Sequence, residues 1–280
     1  MIVGAGDYRY ERVDGWAKGR TLGIASGVAT DSEDRVYVID REPNPVVVIF
    51  GPDGTYTTSW GEGVLTVPHD IWIDAEDRVY IADSGDHTVR IFDKDGYLIK
   101  TFGKSNQPGD FGTPFNKPTR AVCAPNGDMY VSDGYGQYHV HRFSPEGRLK
   151  QTWGGEGSEP GRFSLPHNVY VSKDKRIIVA DREPNHRIQV FDLDGAFLAE
   201  WPGRPAPCGL FIDDDNMVYI AEGAGVSILT MDGRLIAQWV VTGGPNDRPH
   251  GAHGIWVDSQ GSILVGEVGV GDLLHKYERV

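Results

Sequence analysis

The sequence predicts an all-β fold, a single six-bladed β-propeller spanning residues 1–280, and three observations carry that expectation. One unit recurs along the chain: an apolar strand, a short polar turn, a second strand ending in Asp or Glu, a third strand, a DG- or EG-type turn, and a fourth strand ending on an aromatic. The turn glycines Gly54, Gly96, Gly147, Gly195 and Gly233 lie 42, 51, 48 and 38 residues apart. A period of about 40–50 residues with four strands per repeat is the signature of propeller blades. The last unit stops after three strands, and an N-terminal strand is available to complete it.

Blade one covers 25–61, blade two 67–103, blade three 117–154, blade four 165–201, blade five 206–239 and blade six 253–280. Their alternation of apolar and polar residues has the period of strands and excludes a helical or leucine-rich solenoid. The DG and EG pairs supply the positive φ that tight hairpins need. Blade six, HGIWVDSQGSILVGEVGVGDLLHKYERV, lacks a closing DG turn, and YRYERVDGWAK at 8–18 is expected to supply its outer strand. Such a clasp ties the first blade to the last and hides the edges of an open ring. Each blade leans on its neighbours, so no internal domain boundary is expected.

Composition narrows the partners. Hydrophobic residues make up 39% and charged residues 24% of the chain, as in globular proteins generally. The net charge of −13 argues against nucleic acid and anionic membranes, which both need clustered positive charge. No apolar run approaches the ~18 residues that span a bilayer. The N-terminal stretch has neither the basic nor the apolar region of a secretory signal. Two cysteines, Cys123 and Cys208, with no CxxC pair, do not make a disulfide scaffold, and a cytoplasmic setting is expected.

The first strand of each blade lines the central channel. HDIWID (69–74) aligns with HGIWVD (253–258) without a gap, and the shared column reads Ser26, His69, Thr119, His167, Cys208 and His253 from blade one to blade six. Histidine stands in blades two, four and six only. Alternate blades of a six-fold ring lie about 120° apart, so three imidazoles converge there with an apex free. Three histidines and an open position are the pattern of a catalytic zinc site. Other divalent transition metals also suit three imidazoles. Each histidine taken alone also reads as a polar channel residue bonded to water. His250, three residues upstream of His253, is a second candidate that breaks the register, while His87, His139, His141, His186 and His275 read as surface residues.

The second strands end on Asp40, Asp83, Asp133, Asp181, Glu222 and Glu267. A carboxylate in every blade suits a structural task, satisfying backbone N–H groups at the strand-to-turn junction. The residues next in line after these carboxylates differ between blades. Arg41 and Arg182 come next in the string DREPN of blades one and four, and Tyr135 lies two positions on in SDGYGQY of blade three. Arginine beside a metal suits a carboxylate substrate, although Glu42 and Glu183 are adjacent ion-pair partners. Tyrosine near a dication and arginine should have its pKa lowered from ~10, which makes Tyr135 a candidate general base; packing on a neighbouring blade is its alternative task.

The run PTRAVCAPNGDMYVSDGYGQYHVHRFSPEGRLKQTWG, with GRFSLPHNVYVSKDKRIIVADREPNHRIQVF after it, resembles the NHL-repeat family and, within it, the peptidyl-α-hydroxyglycine α-amidating lyases. The resemblance implies a six-bladed propeller with zinc on His69, His167 and His253, a functional Tyr135 in SDGY, and functional arginines Arg41 and Arg182. In that family Asp stands after the third histidine and helps bind a central calcium; here Gly254 stands after His253, which argues against Ca2+ unless Asp70 supplies the carboxylate from another blade. The family is also secreted, with a cysteine after the tyrosine where this chain has Gly136. The function expected is a metal-dependent lyase cleaving the C–N bond of a hemiaminal-type, carboxylate-bearing small molecule or peptide. The alternatives are a metal-hydroxide hydrolase or hydratase on a small carboxylated substrate, and a non-catalytic scaffold that binds a peptide or protein.

Overall fold

Short runs of β-branched and aromatic residues such as VYVID, VVVIF, VYIAD and MYVSD, broken by Asp-Gly turns, form strands because the extended backbone accommodates such side chains and the glycines reverse the chain. The computed structural model describes residues 1–241, 251–269 and 273–280. These residues form six antiparallel sheets. In blade two the order from axis to rim is Pro68–Ile73, Val79–Asp83, Thr88–Phe92 and Leu98–Gly103. Blades one, three, four and five repeat it, with inner strands Ala25–Thr30, Arg120–Cys123, Pro166–Val171 and Pro207–Ile212. Blade six begins with Ala252–Val257. Each inner strand touches that of the next blade, and blade six touches blade one, so the ring closes.

The N-terminal clasp is present, with a correction to its extent. Tyr8–Val13 pairs with Leu274–Arg279 as the fourth strand of blade six, and Ile2–Ala5 adds a fifth that the sequence did not mark. Residues 14–18 are not strand. They cross to blade one, where Lys18 exchanges backbone hydrogen bonds with Gly54 and Tyr56.

Blade-to-blade packing uses the recurrent aromatic. The outer-strand tryptophan of one blade sits against the turn glycine of the next: Trp60 on Gly96, Trp153 on Gly195, Trp201 on Gly233. Trp16, between clasp and blade one, takes the same place against Gly54. The innermost strands are almost wholly buried, the outermost largely exposed. The core therefore lies between sheets rather than within any one of them.

Gly96→Ala is expected to destabilise the protein by about 2–3 kcal/mol, because φ is +88° and a Cβ would stand 2.6 Å from the Trp60 ring. Gly112→Ala has φ +81° with open space around it, and should cost only about 1 kcal/mol. Urea midpoints of the two variants check the difference; equal losses would remove the interblade contact as a source of stability.

Candidate metal centre

The column of inner-strand residues foreseen from the sequence is built by a repeated irregularity. In blades one, two, four, five and six the ladder between first and second strands slips by one residue, at Ser26, His69, His167, Cys208 and His253. A bulge re-aims the extra side chain out of the sheet, here toward the axis. In blade three Thr119 lies just ahead of the strand, its N–H bonded to the Ser132 carbonyl at 2.8 Å.

The three histidines meet. Ring centroids of His69, His167 and His253 are 4.6 to 4.9 Å apart, and one nitrogen of each lies within 4.8 Å of the others. All three are buried. Each Nδ1 bonds a backbone carbonyl of the following blade: His69 to Thr119 at 2.7 Å, His167 to Cys208 at 2.9 Å, His253 to Ser26 at 2.5 Å. A carbonyl only accepts, so each Nδ1 carries the proton and each Nε2 keeps its lone pair. The alternation thus has a structural partner that sequence reasoning missed: even blades supply imidazoles, and odd blades supply the carbonyls that orient them.

Tyr135 lies over this cluster, its hydroxyl 3.2 Å from His69 Nε2 and 3.0 Å from His167 Nε2. Its loop is wedged between blades. A Cβ on Gly134 would stand 2.5 Å from the Pro166 carbonyl oxygen, and one on Gly136 2.3 Å from Asn116, so both flanking residues must lack one. Arg41 donates Nε–H to Pro68 O at 2.9 Å and Nη2–H to His69 O at 3.2 Å, rather than pairing with Glu42. Arg182 does pair with its neighbour, Nε to Glu183 Oε2 at 3.0 Å. Both arginines leave equivalent junctions of blades one and four, bonded through their N–H groups to Ile24 O and Leu165 O. His250 lies outside the described residues.

The electrostatics favour a cation among the imidazoles. Burial pushes the pKa of His69 and His167 well below the ordinary value, helped by neighbouring histidines, and takes His253 down to about 3. Three neutral rings therefore converge their lone pairs, while the Tyr135 hydroxyl has one proton for two of them. A triangle with no side above 4.8 Å fits a circle of about 2.8 Å radius, against a zinc–imidazole bond of about 2.1 Å, so sub-ångström shifts would seat an ion. The donor set fits a divalent metal. Calcium fits poorly: Asp70 Oδ1 accepts from Arg120 at 2.8 Å and Oδ2 from Asn168 at 2.7 Å, so this axial carboxylate is already paired with a cation.

With no dication beside it Tyr135 has its pKa raised, since desolvation outweighs the opposing pull of Arg182 and Arg41; the lowering expected of it requires the metal as well. One sequence expectation is corrected. His139, His141 and His275 are buried, because the third strands they stand on lie inside each blade; His141 bonds Asp133 at 3.2 Å and His275 bonds Glu267 at 2.8 Å. Four of the six strand-end carboxylates behave as expected, whereas Glu222 accepts from the Ser227 hydroxyl and Glu267 bonds His275. Asp40, Asp83, Asp133 and Asp181 accept backbone N–H groups from the segment leading into the first strand, for example Thr66 and Val67 on Asp83 at 2.7 and 2.8 Å.

Residues 65–92 and 163–191 match the NHL repeat, and the chain is a six-bladed β-propeller built with NHL repeats. Its sequence is 31% identical over 224 residues to rat (Rattus norvegicus) peptidylglycine alpha-amidating monooxygenase, covering 68% of this chain and 23% of that protein. It is 33% identical over 238 residues to human (Homo sapiens) NHL repeat-containing protein 3, covering 79% and 64%. With peptidyl-alpha-hydroxyglycine alpha-amidating lyase 1 of Drosophila melanogaster it shares 28% over 188 residues, covering 63% and 34%. The chain thus spans less than two thirds of each of these relatives. Among solved structures, a gluconolactonase from Xanthomonas campestris superposes with a TM-score of 0.73 at 18% identity, covering 98% of this chain and 90% of that one, a likeness of fold.

In the metal-free protein the three imidazoles stabilise the fold only while neutral. Their folded pKa values lie below the unfolded value near 6.5, so the unfolded chain takes up protons first as pH falls. The stability they contribute is complete above about pH 6.5 and is lost toward about pH 3. Urea midpoints of the metal-free protein against a His69→Gln/His167→Gln/His253→Gln variant should converge across that window; a constant difference would show the rings are not held neutral.

Proposed function

We propose that this propeller is a metal-dependent lyase acting on a carboxylate-bearing hemiaminal, with a divalent ion, zinc first among candidates, held by His69, His167 and His253. The observation that carries the reading is the convergence of three buried imidazoles, with the Tyr135 hydroxyl within hydrogen-bond reach of two of them. The relatives named as amidating lyases support it at modest identity. A divalent ion at that point would supply Lewis acidity, polarising a substrate oxygen and favouring the ionised phenol.

The chain's own residues account for the remaining steps. Arg182 can exchange Glu183 for the substrate carboxylate, and Arg41, with Nε and Nη2 committed to backbone carbonyls, offers its remaining nitrogen, Nη1. Tyr135, as phenolate, takes the proton from the substrate hydroxyl. The oxygen's electron pair closes a carbonyl, the C–N pair leaves on nitrogen, and the phenol returns the proton to that nitrogen. The products are an α-keto acid or aldehyde acid, such as glyoxylate, and a primary amide.

Purified protein supplied with zinc and α-hydroxyhippurate should release glyoxylate and benzamide in equal amounts. Benzoate among the products would mark a hydrolase instead, and no product at all would leave a binding scaffold. Tyr135→Phe should lower kcat by about 10²-fold or more with metal content unchanged. Arg182→Gln should raise KM about 10-fold or more through the lost carboxylate contact. Steady-state kinetics with metal analysis read both.

A further inference from the structure

One residue on from the histidine column lies a second layer: Gly27, Asp70, Arg120, Asn168, Gly209 and Gly254. Its chemistry is confined to blades two, three and four. Asp70, Arg120 and Asn168 are all buried and meet at the axis. Asp70 Oδ1 accepts from Arg120 Nη1 and from the Ile71 N–H, both at 2.8 Å, and Oδ2 accepts from Asn168 Nδ2 at 2.7 Å. Arg120 Nη1 also donates to the Ile71 carbonyl at 2.9 Å. The other three blades contribute glycine because there is no room for more. A Cβ on Gly27 would stand 2.8 Å from Asp70 Oδ1, and one on Gly254 2.9 Å from Gly27 Cα.

A carboxylate enclosed this way needs a countercharge. A divalent ion on the axis could provide one, and calcium would require six to eight oxygen ligands. Asp70 Oδ1 is filled by two donors and Oδ2 already accepts from Asn168, and the permanently charged guanidinium 2.8 Å away repels a second cation at that point. Arg120 Nε and Nη2 have no protein partner among the described residues, and these are donors that water can satisfy and a cation cannot.

We infer that Arg120 is the axial cation of this propeller, tying blades two, three and four beneath the histidines in place of a bound calcium, so that ring closure is independent of calcium. The inference stands apart from the lyase reading, since its readouts are calcium content and thermal stability. Elemental analysis of the zinc-loaded protein should find no stoichiometric calcium. About 5 mM calcium should leave its Tm unchanged within about 1 °C. Arg120→Met should lower Tm by about 5 °C or more, because Asp70 is left buried and unpaired. The double variant Asp70→Asn/Arg120→Met should recover most of that loss, and serves as the test if the single variant does not fold. Stoichiometric calcium in the wild type, a calcium-dependent rise in its Tm, an Arg120→Met variant as stable as wild type, or a double variant no better than the single one would each overturn the assignment.

Discussion

The hydrogen bond from each histidine Nδ1 to a backbone carbonyl of the next blade is the contact on which the site depends. It joins blade two to three, four to five and six to one, so it ties half of the ring's interfaces at the axis while fixing the tautomer of every imidazole. The lone pairs left on Nε2 have no choice of direction. Because the donor–acceptor pairs bridge blades, the histidine cluster exists only when the ring is closed, and the N-terminal clasp belongs to the site even though it is far from it.

Burial and charge divide the axis into two layers with opposite needs. The upper layer gathers three neutral imidazoles whose charged forms burial disfavours, with a tyrosine hydroxyl and two arginines around them. It wants a cation from outside. The lower layer already carries one, Arg120, balanced by Asp70 and steadied by Asn168. Two uncompensated cation sites one residue apart would repel each other, whereas a neutral Asp–Arg pair below leaves the upper layer free to take a dication.

Much of this was legible in the residues because propeller repeats place equivalent positions in equivalent surroundings. The spacing of Gly54 to Gly233 marks the blades, and aligning HDIWID with HGIWVD puts His69, His167 and His253 in one column. The same reasoning placed Tyr135, Arg41 and Arg182 near them and assigned the strand-end carboxylates to backbone N–H groups, which holds for the four aspartates. It failed where solvation decides. His139, His141 and His275 sit on third strands that look peripheral in the sequence but lie inside their blades.

Sequence by itself determined the blade count, the strand order and the alternation of ligands, because each arises from a local period repeated along the chain. Tertiary structure decided which atoms of those residues are free. The bulges aim the column inward, the neighbouring carbonyls choose Nε2 over Nδ1, and Arg120 pairs with Asp70. These are contacts between residues about 40 to 230 positions apart, and only closure of the ring brings them within hydrogen-bond distance.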